Sequence, residues 1–171
     1  MRGRPAPSAR LWASVNDVHV LAAETLPDEL EVMLLHPDAR PPRRAHPGDA
    51  GLDLVSVQAA TLAPGERQAL STGLALALPA GVAGLVLPRS GLAARHGVTT
   101  LNAPGLIDPN YRGECRVILH NAGQRRFSVA AGDRIAQLLL VPYWRPELRT
   151  VDALAPAGDE RGAGGFGSSG R

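Results

Sequence analysis

The chain contains no lysine; all 18 of its Lys+Arg positions are arginine. That absence excludes several enzyme classes at once. A Walker A loop, a Schiff-base enzyme and a protein-kinase site each require a lysine at the chemistry. Any phosphate handled here must be held by arginine forks, backbone N–H groups, hydroxyls or a metal. Cysteine is nearly absent too. A single Cys115 excludes an intrachain disulfide and a cysteine-cluster zinc site, and strand packing is its expected role. Aromatics make up 4% of the residues against 44% hydrophobic, so the core must be built from Leu, Val and Ala. No apolar run is long enough to span a bilayer. The N-terminus has Arg2, Arg4 and Arg10 but lacks the apolar core of a secretory signal. The expected location is therefore the cytoplasm, with no membrane partner. A net charge of +2 is too small to point to nucleic acid, and no such partner is expected.

A length of 171 residues suggests one domain with room for a real core. Residues 1–30 differ from the rest: they are rich in Ala, Pro and acids, with one weak amphipathic stretch from Val15 to Thr25. They are expected to form a poorly ordered extension. A first strand is expected at Glu31–His36, followed by a loop, Pro37–Gly48, with four prolines and three arginines. Short apolar strands follow at Leu52–Val57, Leu74–Leu78, Val82–Leu87, Cys115–His120, Phe127–Val129 and Ile135–Val141. Between them lie turns carrying Pro64-Gly65, Pro79-Ala80-Gly81, Asn121-Ala122-Gly123 and Ala131-Gly132-Asp133. Many short strands with regular turn signals predict an all-β sandwich or barrel over residues 31–152. A short turn near Gly91–His96 is the only expected core helix. Residues 153–171 are Gly/Ser-rich, as in a flexible arm. Yet Arg161 and Phe166 sit among the glycines, which suits a segment that closes over a ligand.

Five segments carry candidate chemistry. Gly48-Asp49-Ala50-Gly51-Leu52-Asp53-Leu54 places two acids around a turn entering a strand. Pro88-Arg89-Ser90-Gly91-Leu92 has a helix-start pattern, with Ser90 as the expected N-cap and free N–H groups able to face an anion. Gly105-Leu-Ile-Asp-Pro-Asn-Tyr-Arg-Gly-Glu114 sets Asp108 and Tyr111 among turn formers, as on a tight β-hairpin. A rigid mount of this kind is what a general base needs. Taken alone, the same ten residues equally fit a turn aspartate bonded to its own backbone beside a surface tyrosine. Gly132-Asp133-Arg134-Ile135-Ala136-Gln137 enters a strand with a polar Gln137 between apolar residues, and the arm is the fifth segment.

In this order the five segments resemble the five motifs of the trimeric dUTP diphosphatases, the dUTPases, from about Glu31 to Arg171. The resemblance implies a distorted β-barrel or jelly roll of short strands with little helix. It implies hydrolysis of dUTP to dUMP and pyrophosphate with Mg²⁺, which keeps uracil out of DNA and supplies dUMP for thymidylate synthesis. Asp108 takes the position of the general base that activates a water. Asn102 takes that of the amide reading uracil, helped by backbone at Gly105 and Ile107. Tyr111 takes the place of the aromatic under the deoxyribose that refuses a 2′-hydroxyl. Asp53 matches the acid that supports metal-bound waters and the arginine of the second motif. Arg89, Ser90 and Gly91 match the phosphate-contacting run, and Gln137 a further phosphate contact. In the arm, Arg161 matches the γ-phosphate ligand and Phe166 the cover over uracil, with Gly167, Ser168 and Ser169 as added donors. The family implies a homotrimer whose sites are shared between subunits. Two alternatives stand beside it: a dCTP deaminase on the same fold, and a nucleotide-binding regulator with a dead site. Deaminases of that group lack the Gly-Gly-Phe-Gly tail.

Overall fold

Eleven short strands and one short helix organise residues 29–155, the part of the chain that the computed structural model describes. The Val15–Thr25 stretch and the arm residues Arg161, Phe166, Gly167, Ser168 and Ser169 lie outside it. In chain order the strands are β1 (Glu31–Leu34), β2 (Leu52–Val55), β3 (Ala60–Leu62), β4 (Arg67–Ser71), β5 (Leu74–Ala77) and β6 (Val82–Leu87). Helix α1 (Ser90–His96) follows. Then come β7 (Val98–Thr100), β8 (Gly105–Ile107), β9 (Arg116–Asn121), β10 (Phe127–Val129) and β11 (Arg134–Pro142).

All pairings are antiparallel, and they form four sheets rather than a closed barrel: β1-β5, β3-β10, β2-β11-β6-β8 and β4-β9-β7. The all-β class of short strands with little helix is as the sequence predicts. β11 is the longest strand and lies between β2 and β6, so it reads as a nearly unbroken apolar run. At its centre, β6 contributes Gly84, where a Cβ would come within 3.0 Å of Leu138 and 3.2 Å of Ile107. The core is aliphatic, as the scarcity of aromatics requires. Leu54, Leu62, Leu70, Leu74, Leu119 and Leu138 are essentially fully buried. Each such side chain contributes roughly 1.5–3 kcal/mol by leaving water.

Two local expectations need correcting. The segment from Gly105 to Glu114 is not the tip of a hairpin. β8 pairs with β6, through Gly84↔Ile107 and Val86↔Gly105, whereas β9 pairs with β4 and β7. The chain therefore crosses here from one sheet to another. Apolar runs flanking a turn do not reveal which distant strand each will join. Ser90 is also not the N-cap of α1. Arg89 holds that position with extended backbone and no side-chain cap bond, and Ser90 is the first helical residue. The helix ends at Gly97, whose φ of 69° is the left-handed cap conformation that glycine adopts without strain. No helix among the described residues is long and apolar enough to cross a membrane.

Candidate active site

Two clusters of polar side chains stand on different parts of the surface. The first surrounds a cleft of about 350 Å³ lined by Asn102, Gly105, Ile107, Asp108 and Tyr111. β8 forms its floor at the edge of its sheet. Beyond β8 no further strand pairs among the described residues, so backbone groups on that side are free for other partners. Gly105 lets the Asn102 amide lie against the strand: a Cβ at that position would be 3.1 Å from Nδ2. Asp108 follows β8 directly and its side chain is exposed.

The crossing segment is pinned at both ends. The Tyr111 N–H donates to the Asp108 carbonyl at 3.0 Å, and the Tyr111 hydroxyl donates to the Glu114 carbonyl at 3.0 Å. The hydroxyl end of the tyrosine ring lies against Gly113, where a Cβ would fall 2.6 Å from Cζ. Glu114 then anchors the segment to the turn after β4. Its carboxylate accepts from Ser71 Oγ at 3.0 Å and from the Gly73 N–H at 2.8 Å. The Cys115 N–H donates to the Leu74 carbonyl at 2.7 Å, and Thr72 Oγ1 donates to the Cys115 carbonyl. Burial, and then the neighbouring charge of Glu114, push the Cys115 thiol up to about 11. Cys115 is thus a packing residue, as expected from its isolation in the sequence.

The second cluster centres on Asp53 of β2, only 8% exposed. Arg134 Nη1 donates to Asp53 Oδ2 at 3.0 Å. Arg89 Nε stands 3.6 Å from Oδ1 and its Nη1 donates to the Arg134 carbonyl at 2.9 Å. Asp53 and Gln137 are register partners, and Gly51 packs against the Gln137 side chain. Ser90 and Gly91 open α1 directly after Arg89, and the Arg95 guanidinium folds back over Gly91. Arg134 is the residue that the sequence left without a role, although it opens β11, the strand that carries Gln137. Its partner Asp53 is 81 positions away. Glu114, likewise without a role in the sequence, is the anchor of the Asp108 segment.

The structure thus brings Asn102, Gly105, Ile107, Asp108 and Tyr111 together, and separately brings Asp53, Arg89 and Gln137 together with Arg134. None of the second cluster lines the Asp108 cleft. No group of three or more His, Cys, Asp or Glu able to hold a metal occurs among the described residues. Asp53 Oδ1 is buried without a hydrogen-bond partner, but guanidinium groups flank its carboxylate. Two guanidinium charges already answer this nearly buried carboxylate, so the setting does not favour direct ligation of a cation.

A family model described as dUTPase matches residues 38–170. The chain belongs to the dUTPase family. Deoxyuridine 5′-triphosphate nucleotidohydrolase of Thermobifida fusca is 48% identical over 169 residues, covering 98% of this chain and 91% of that protein. Because it covers 98% of the chain, that match takes in most of the first thirty residues as well. The enzyme of the same name from Anaeromyxobacter is 57% identical over 130 residues, 76% of this chain and 87% of its own length. Among solved structures, the dUTPase of Staphylococcus bacteriophage 80alpha with dUPNHPP superposes with a TM-score of 0.78 at 31% identity, covering 85% of this chain and all of that one. A mutant dUTPase from phage phi11 of S. aureus, described with a coordinated structural Mg(II) ion, has a TM-score of 0.68 at 29% identity over 74% of this chain and 98% of that one. The deaminase alternative finds no support in these matches.

Proposed function

We propose that the protein hydrolyses dUTP to dUMP and pyrophosphate, with Asp108 as the base. The observation that carries this reading is the single cleft lined by Asn102, Gly105, Ile107, Asp108 and Tyr111, in a chain of the dUTPase family. Uracil lies along the edge of β8. There the Asn102 amide and the backbone of Gly105 and Ile107 meet its hydrogen-bonding edge, and cytosine, with donors and acceptors exchanged, is rejected. The Tyr111 ring, held by Gly113 and the Glu114 carbonyl, packs under the deoxyribose and leaves no room for a 2′-hydroxyl. Asp108 takes a proton from a water, which attacks the α-phosphorus in line with the departing pyrophosphate. Such a displacement depends on positioning and charge and needs no covalent intermediate.

The phosphates are met by the second cluster. Arg89 contacts them as a fork, the Ser90 hydroxyl stands near the α–β bridging oxygen where charge develops, Gly91 offers its N–H, and Gln137 adds a further donor. Within one chain this cluster lies apart from the Asp108 cleft. That separation supports a homotrimer in which one subunit supplies the Asp108 cleft and a neighbour the phosphate cluster. The arm comes from the third subunit, with Arg161 on the γ-phosphate, Phe166 over uracil, and Gly167, Ser168 and Ser169 closing around the chain of phosphates. Water excluded by the arm strengthens each of these contacts. Mg²⁺ is the expected cofactor: Asp53 would contact it through water, and when bound it would supply charge neutralisation on the phosphates. We place the activity in the cytoplasm, where it keeps uracil out of DNA and supplies dUMP.

The test is pyrophosphate release from dUTP, dCTP and UTP in the presence of Mg²⁺. Release from dUTP alone is expected. No release from dUTP would overturn the proposal, and ammonia from dCTP would establish the deaminase in its place.

A further inference from the structure

At the C-terminal end of α1 lies a hollow of about 440 Å³ that shares no lining residue with the Asp108 cleft and is edged by Arg95, Arg125 and Arg126. No acidic side chain lines it, and no carboxylate among the described residues lies within ion-pair distance of any of these arginines. Like charges gathered on one concave surface repel, and the field they create is concentrated by the walls. The arrangement is therefore favourable chiefly toward an anion.

The loop that carries two of the arginines is rigidly built. Asn121, fully buried at the end of β9, donates through Nδ2 to the Leu62 carbonyl at 2.9 Å and to the Arg125 carbonyl at 2.7 Å. Its Oδ1 accepts from the Gly123 N–H at 3.0 Å. The loop also crosses the end of α1 at backbone contact. A Cβ on Gly97 would lie 2.8 Å from the Gly123 Cα, and a Cβ on Gly123 would collide with the His96 carbonyl. The Ala122 N–H closes the crossing on the Gly97 carbonyl at 2.9 Å. One wall is aromatic: the His96 and Phe127 rings meet, tilted, at 5.1 Å between centroids and 47° between planes.

We propose that this hollow binds an oligophosphate anion, two or three linked phosphate groups, held by the guanidinium forks of Arg125 and Arg126, with the charge of Arg95 at its edge. Guanidinium is planar and matches phosphate oxygens in pairs. Three positive charges match the charge of a diphosphate or triphosphate. The two sources of that chemistry are inorganic pyrophosphate, which the proposed reaction releases, and the phosphate chain of a nucleotide whose base rests on the His96–Phe127 wall. The site depends on its own residues and not on the reading of Asp108.

The experiment uses the full chain with the Asp108 cleft filled by one equivalent of α,β-imido-dUTP per chain, so that none is left over to occupy the hollow. Pyrophosphate, tripolyphosphate and ATP are titrated calorimetrically into the wild-type protein and the Arg125→Ala/Arg126→Ala variant. The expected result is uptake of one further anion per chain, weakened by added salt. The double variant is expected to bind it about tenfold or more weakly and to turn over saturating dUTP at the wild-type rate. Tighter binding of ATP than of tripolyphosphate supports the nucleotide as source; equal binding supports the phosphates alone. Absence of a further bound anion, or equal affinity in the double variant, would overturn the proposal. So would a single-stranded oligodeoxynucleotide that displaces tripolyphosphate at matched phosphate concentration. Should the analogue itself not bind, the hydrolase reading fails, and the comparison of wild type with the double variant in its absence still tests the hollow.

Discussion

Arg134 holds Asp53 from the neighbouring strand: its Nη1 donates to Oδ2 at 3.0 Å, while its own carbonyl accepts from Arg89 at 2.9 Å. One residue thus sets both partners of the Asp53–Arg89 pair. Half of the Arg134 side chain is exposed, so the ion pair as such adds little stability. The carboxylate it satisfies is nearly buried, and leaving such an acceptor unpaired is costly. Arg134→Ala is expected to lower kcat for dUTP about tenfold through a misplaced Arg89, with a fold that still melts cooperatively. Arg134→Lys keeps the charge but loses the fork, and is expected to recover only part of the rate. Pyrophosphate release and a melting curve on each variant check both statements. A role in stability alone would shift the melting curve and spare kcat.

Gly113→Ala probes the seat of Tyr111. The added Cβ falls 2.6 Å from the ring carbon Cζ, so the tyrosine must move, and as the far end of a side chain it can. The expected result is a melting temperature close to wild type with poorer discrimination between dUTP and UTP, measured as the ratio of kcat/KM values. Unchanged discrimination would show that the ring's position does not exclude the 2′-hydroxyl.

Cys115 gives a pH dependence whose sign follows from its environment. Burial, then Glu114, raise the thiol to about 11 from an unfolded value of 9.0. The folded state therefore favours the neutral thiol. The stability this contributes is fully present below pH 9 and is lost as pH rises from there through about 11, because the unfolded chain releases its proton first. Denaturant titrations across that range are expected to show falling stability, and the fall is expected to be smaller in Cys115→Ala. At pH 8 the native thiol is expected to react slowly with a disulfide reagent and the unfolded thiol quickly.

The strands that are legible in the sequence are those set off on both sides by Gly and Pro turn signals. β6 at Val82–Leu87 and β10 at Phe127–Val129 lie at their expected bounds. β3 at Ala60–Leu62 and β7 at Val98–Thr100 escape because three residues are too few to show a period, and neither has an aromatic like the Phe127 that marks β10. β4 escaped because Arg67, Gln68 and Ser71 dilute its apolar positions, only Leu70 being fully buried. The site divides in the same way. Asp108 and Tyr111 are close in sequence and were visible as a group. Arg134 was not, because its function as a tether exists only once β11 lies beside β2. The mistaken hairpin has the same origin: the partners of β8 and β9 are chosen by tertiary packing.

The arm is tested by shortening the chain. A protein ending after Pro156 loses Arg161, Phe166, Gly167, Ser168 and Ser169. It is expected to keep the melting behaviour and oligomeric state of the full chain and to retain little dUTP hydrolysis. Full turnover by the truncated protein would remove the arm from the site.

The most direct test of the account is Asp108→Asn, which keeps the size of the side chain and removes its ability to take a proton. Pyrophosphate release from dUTP would be measured under single-turnover conditions, alongside affinity for a non-hydrolysable dUTP analogue. The account requires near wild-type affinity for the analogue and a rate reduced about a hundredfold or more. A variant that releases pyrophosphate at close to the wild-type rate would contradict it.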